Sequence, residues 1–110
     1  MIHKFNFFIL VLLIVLLSLR QQLQASGAVA KDCTFNGKPL YGSVKIVDAF
    51  PDFKVQVVDA FADLKVKRVD AFADSCGEWK VVDAFPDFTV KIVDAFPDFK
   101  IKYVDAFPGL

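Results

Sequence analysis

The tetrapeptide Val-Asp-Ala-Phe occurs six times, at Val47–Phe50, Val58–Phe61, Val69–Phe72, Val82–Phe85, Val93–Phe96 and Val104–Phe107. Successive copies start 11, 11, 13, 11 and 11 residues apart. Self-similarity at a fixed period marks a repeat architecture. Eleven residues are too few for a strand and a crossover helix, which together need about 30. They suit one strand and one tight turn. Each unit opens on β-branched or aromatic residues, as in Val-Lys-Ile-Val, and Pro-Asp or Ala-Asp supplies the turn. A helix would have to carry the β-branched run and an internal proline at every turn. The chain is therefore expected to be all-β over residues 44–110, with six strand-turn units in equivalent places around one axis. The 13-residue step divides them three and three.

Alternation is clear where each strand begins. Val44 and Ile46 share a side and Lys45 takes the other; Val55/Val57 against Gln56 and Val90/Ile92 against Lys91 repeat this. The column Ile46, Val57, Arg68, Val81, Ile92 and Tyr103 accepts arginine and tyrosine, so partial burial is expected there. Alanine in every copy (Ala49 and its equivalents) predicts a close approach with room for a methyl group only. The lysine column (Lys45, Lys67, Lys80, Lys91, Lys102) reads as a solvated face.

Two aspartates recur in five of the six units, and the last unit keeps only the first. The first column is Asp48, Asp59, Asp70, Asp83, Asp94 and Asp105; the second is Asp52, Asp63, Asp74, Asp87 and Asp98. The structural expectation is that the first column bonds backbone amides in the turn that follows it. The alternative is a calcium-dependent domain, with both columns forming a ladder of ligands. Known calcium-binding β-rolls bend around the ion with glycine-rich repeats, and outside the central interruption these repeats have no glycine before Gly109. Paired carboxylates such as Asp48 and Asp52 also occur in glycosidases. Six copies of one environment do not separate an acid from a base.

Upstream lies a leader. Met1-Ile-His-Lys4 precedes an unbroken apolar run from Phe7 to Leu17, short for a membrane span and suited to a secretory signal peptide. Residues 1–30 are assigned to it, with cleavage after Ala30 and an alternative after Ala25. The leader holds two of the 13 basic residues and none of the 13 acidic ones, so the remainder carries a net charge of −2. No basic face is implied and nucleic acid is not an expected partner. The one histidine, His3, lies in the leader. The exported chain thus lacks the usual general base and the commonest metal ligand. No enzymatic activity and no cofactor are expected.

Cys33 and Cys76 both survive cleavage. In an oxidising compartment, two cysteines without histidine or a second close pair predict one disulfide. It would stabilise by about 4 kcal/mol. Residues 31–43 link leader to repeats. Asn36-Gly37 could turn a short hairpin there, or the segment could be an irregular strap held by Cys33. Between the third and fourth units, Ala73-Asp74-Ser75-Cys76-Gly77-Glu78-Trp79 interrupts the array, and Trp79 takes the slot of Val44 as a larger core plug.

Six units of eleven residues, broken after the third by a glycine and a tryptophan, resemble the 7(1) septoil knot domain family of small bacterial proteins. The resemblance covers residues 44–110. Relatives carry Val-Asp-Tyr with a later Gln-Ala-Asp, where this chain has Val-Asp-Ala-Phe with Pro-Asp or Ala-Asp. The resemblance implies a compact all-β domain whose chain circles a common centre twice, the second circuit threading the first in a torus knot of seven crossings. Periodicity alone implies only two equivalent circuits of three. A single-wound β-solenoid or closed meander is the competing architecture; it would pair neighbouring repeats instead of interleaving the halves. The family has no established activity. The expectation is a periplasmic or secreted, monomeric, structural or binding module with an unidentified envelope partner.

Overall fold

The computed structural model describes residues 29–110; the leader, apart from residues 29 and 30, lies outside them. Eight strands and no helix make up the described chain. Thr34–Phe35 (β1) and Lys38–Pro39 (β2) form an antiparallel hairpin. Its two-residue turn places Asn36 at φ 51° and Gly37 at φ 79°, the left-handed pair that such turns demand. Of the two forms open for the linking segment, the hairpin is the one adopted.

The six repeats give Gly42–Ile46 (β3), Phe53–Val57 (β4), Leu64–Arg68 (β5), Glu78–Val81 (β6), Phe88–Ile92 (β7) and Phe99–Tyr103 (β8). They close into a barrel in the order β3-β6-β5-β8-β4-β7, with every pairing parallel. Each strand of the first three is therefore flanked by two from the second three. Following the chain, each connection skips one position around the ring, so three repeats complete a lap. The interrupted connection between β5 and β6 moves one position instead, and places the second lap in the gaps left by the first. A single-wound solenoid or meander is excluded by this order.

Adjacent strands are offset by two residues at every step; Val44 faces Phe88, Val90 faces Phe53 and Val55 faces Phe99. A stagger this large relative to the strand number demands strongly tilted strands. Because the offset equals the side-chain period, equivalent residues form layers. The middle layer is Val44, Val55, Val66, Trp79, Val90 and Ile101, all buried. The layer below contains Phe53, Leu64, Phe88 and Phe99, with Gly42 and Gly77 in the other two slots. The hairpin caps this end. Phe35 packs edge-on to Phe53 at 5.5 Å and tilted against Phe99 at 5.3 Å. The upper layer is the Ile46 column, half-exposed as expected, with Ile46 at 42% and Tyr103 at 38%.

Trp79 is buried and packs edge-on to Phe88. Its indole N–H donates to the Leu40 carbonyl at 3.1 Å. The larger plug thus sits at the changeover between laps and ties it to the cap. Cys33 and Cys76 are bridged, Cα to Cα 5.8 Å. The bridge fastens the same two parts.

Candidate binding surface

One backbone bond repeats six times. The N–H of each Val-Asp-Ala-Phe valine donates to the carbonyl of the middle-layer residue on the next strand: Val47 to Val90, Val58 to Ile101, Val69 to Trp79, Val82 to Val44, Val93 to Val55 and Val104 to Val66, at 2.9–3.0 Å. Except at the changeover after Val69, the chain then leaves the sheet, turns, and returns against the same neighbour. Four of the five aspartates in the second column make that return; Asp74, at the changeover, does not. Ser43, Lys54, Thr89 and Lys100 N–H groups donate to the carboxylates of Asp87, Asp98, Asp52 and Asp63 at 2.7–2.8 Å. The aspartate N–H groups donate back to Ser43, Lys54 and Lys100 carbonyls and to Thr89 Oγ1 at 2.7–2.9 Å. In the last repeat Gly109 replaces the aspartate and exchanges two backbone bonds with Lys65.

This corrects the expectation for the aspartates. The hydrogen-bonded carboxylates belong to the second column, and they hold a strand of the other lap rather than amides of their own turn. The first column lies exposed on the turns. Among the described residues, no three of His, Cys, Asp or Glu come together in a way that could hold a metal ion. Spacing alone does not separate the two columns, because both recur at the same step. The departure that distinguishes them is Gly109, since a backbone pair can replace a capping carboxylate.

The alanine column is a second correction. Ala49 and its five equivalents are exposed, so no close approach selects them. The side chains beside them are the larger surprise. Phe50, Phe61, Phe72, Phe85, Phe96 and Phe107 are 86–99% exposed. All six adopt left-handed backbone, with φ between 53° and 59°. That region disfavours a bulky side chain by about 1 kcal/mol per residue. Glycine or asparagine would serve these turns at lower cost. Equivalent places in a closed ring put the six rings at one level, encircling the barrel. Each stands two residues after an exposed aspartate.

Other concavities are shallow. A cleft of about 330 Å³ is lined by Lys67, Arg68, Tyr103, Val104 and Asp105 at the upper rim. Another of about 370 Å³ lies between the hairpin and the Ala73–Asp74 turn.

Comparison with known proteins places residues 37–110 on the family model described as 7(1) septoil knot domain. An uncharacterised protein of Synechocystis sp. (slr1025) is 71% identical over 48 residues, which span 44% of this chain and 43% of that protein. The match thus spans less than half the length of this curated relative.

Proposed function

The chain belongs to the 7(1) septoil knot domain family, and we propose that it is an exported, non-enzymatic module that works by presenting its outer surface to a partner in the periplasm or outside the cell. The observation that carries this reading is the Cys33–Cys76 bridge. Cys33 is buried, and the bridge joins the cap to the lap changeover. Such a structural disulfide persists in oxidising compartments and not in the cytosol. The apolar leader supplies the route. The repeat architecture supports the non-enzymatic part: a ring of matching environments does not create the unlike partners that acid-base chemistry requires. The calcium-dependent alternative has no supporting cluster among the described residues.

Of the two cleavage positions, the one after Ala25 suits the fold better. Val29 packs against the core. Ala30 N–H donates to the Thr34 carbonyl, and the Ala30 carbonyl accepts from Cys33 N–H, both at 2.9 Å. Cleavage after Ala30 would sever these ties from their chain.

Cell fractionation followed by intact mass measurement, without reduction and after thiol alkylation, tests the reading. The expected species is exported, begins at Ser26 and takes up no alkylating reagent. A cytoplasmic species with two alkylated thiols would overturn it.

A further inference from the structure

We propose that the ring of turns is a docking surface for an extended, arginine- or lysine-rich peptide segment of a partner protein. This rests on the proposed surface-presenting function and names the chemistry of its partner. The argument starts from residue identity. The fold uses the valine N–H of every repeat and the second aspartate of four of them. It does not use the phenylalanine ring, which is solvent-exposed in every copy. It also holds that residue at a φ that suits glycine or asparagine. A side chain present six times against the backbone's preference has its contact outside the chain.

What lies beside the ring selects the contact. Each turn carries one carboxylate of the Asp48 column, exposed, and no basic residue between the valine and the Pro/Ala-Asp return. A purely apolar partner, or an anionic lipid surface, would leave these carboxylates desolvated or repelled. A cation with an apolar stem satisfies both groups at once. Guanidinium stacks on an aromatic face and pairs with a carboxylate through its planar fork. Lysine does the same as a point charge, its methylene stem lying on the ring. One exposed turn binds weakly, because both contacts are open to water. Repetition around the barrel compensates, since a peptide engaging successive turns binds each later one at high effective concentration.

Fluorescence anisotropy of a labelled deca-arginine peptide tests this on the full chain with its disulfide intact. Binding is expected to saturate, to be at least tenfold tighter than that of tri-arginine, to weaken steeply with added NaCl, and to be undetectable for deca-glutamate. Phe→Asn at all six turns keeps the left-handed backbone and is expected to weaken binding at least tenfold with no fall in Tm. A second variant, Asp→Asn across the Asp48 column, leaves every phenylalanine in place and is expected to weaken binding by a similar factor. Deca-arginine binding unaffected by either variant would reduce the effect to bulk charge and overturn the proposal. So would tighter association with neutral lipid vesicles, or a concentration-dependent oligomer in sedimentation that the Phe→Asn variant dissolves, because the ring would then cover a membrane or a second copy. Fractionation and thiol state decide the export reading separately; peptide binding on purified protein does not depend on them.

Discussion

Asp98 and Lys54 hold each other across the two laps by the backbone. Lys54 N–H donates to Asp98 Oδ2 at 2.7 Å, and Asp98 N–H donates to the Lys54 carbonyl at 2.7 Å, although 44 residues separate them. The Lys54 side chain takes no part in the clasp. Asp98→Ala should therefore lower stability by about 1 kcal/mol, the scale of one charge-assisted bond at an accessible site. Lys54→Ala should stay within about 0.5 kcal/mol. Urea unfolding of both variants checks the contrast. An equal loss from the two would mean that the lysine side chain contributes as much to securing the return as the aspartate carboxylate does.

Phe96 and Phe99 are three residues apart and have opposite surroundings. Phe99 is 1% exposed and touches Phe35 and Phe53; Phe96 is 93% exposed at φ 55°. Phe99→Ala should cost about 3–5 kcal/mol through lost burial and a cavity. Phe96→Asn should leave stability unchanged or raise it by up to about 1 kcal/mol, because asparagine tolerates the left-handed region. Denaturant midpoints read both. A loss above 1 kcal/mol at Phe96 would reveal a packing contact in the isolated chain.

The same pair shows how far the residues alone reveal the structure. Period and β-branching predicted strand and turn, and the 13-residue step predicted where the second lap begins, because both follow from chain length per unit. Trp79 in a valine slot predicted a plug because a larger side chain in one of six matching slots marks a local difference. Inside and outside were not legible in the turns. Alternation of period two assigns faces only while the chain stays in the sheet, and it leaves the sheet at Val47 and its equivalents. Beyond that point invariance is silent about burial: Phe50 and Ala49 never vary and are exposed. The useful signal was the reverse. The slot filled by Phe53, Leu64, Phe88 and Phe99 varies in shape while staying apolar, as core positions do.

The bridge between Cys33 and Cys76 closes a loop with a sequence separation of 43. Reduction, or the double replacement of Cys33 and Cys76 by serine, should lower stability by about 4 kcal/mol, most of it through the unfolded chain. Trp79, the one tryptophan, is buried beside the bridge's attachment to the changeover, so its fluorescence follows unfolding directly. A urea midpoint that stays put on reduction would show that the cap docks equally well without its staple.

Gly77 sits in the phenylalanine layer with φ 81°. A Cβ there would collide with the Lys65 carbonyl oxygen and lie 2.7 Å from Gly109 N. Those two atoms are bonded to each other, Gly109 N–H donating to Lys65 at 2.9 Å. Neither can retreat without giving up that bond, and Lys67 N–H also depends on the Gly77 carbonyl. Gly77→Ala should therefore cost about 3 kcal/mol or more, combining overpacking with left-handed strain. Gly37, at φ 79° in the hairpin turn, has open space where its Cβ would be. Gly37→Ala should cost about 1 kcal/mol, the strain alone. The difference between the two midpoints isolates the crowding at the lap changeover; equal losses would show that the last residues of the chain do not close over the barrel at Gly77.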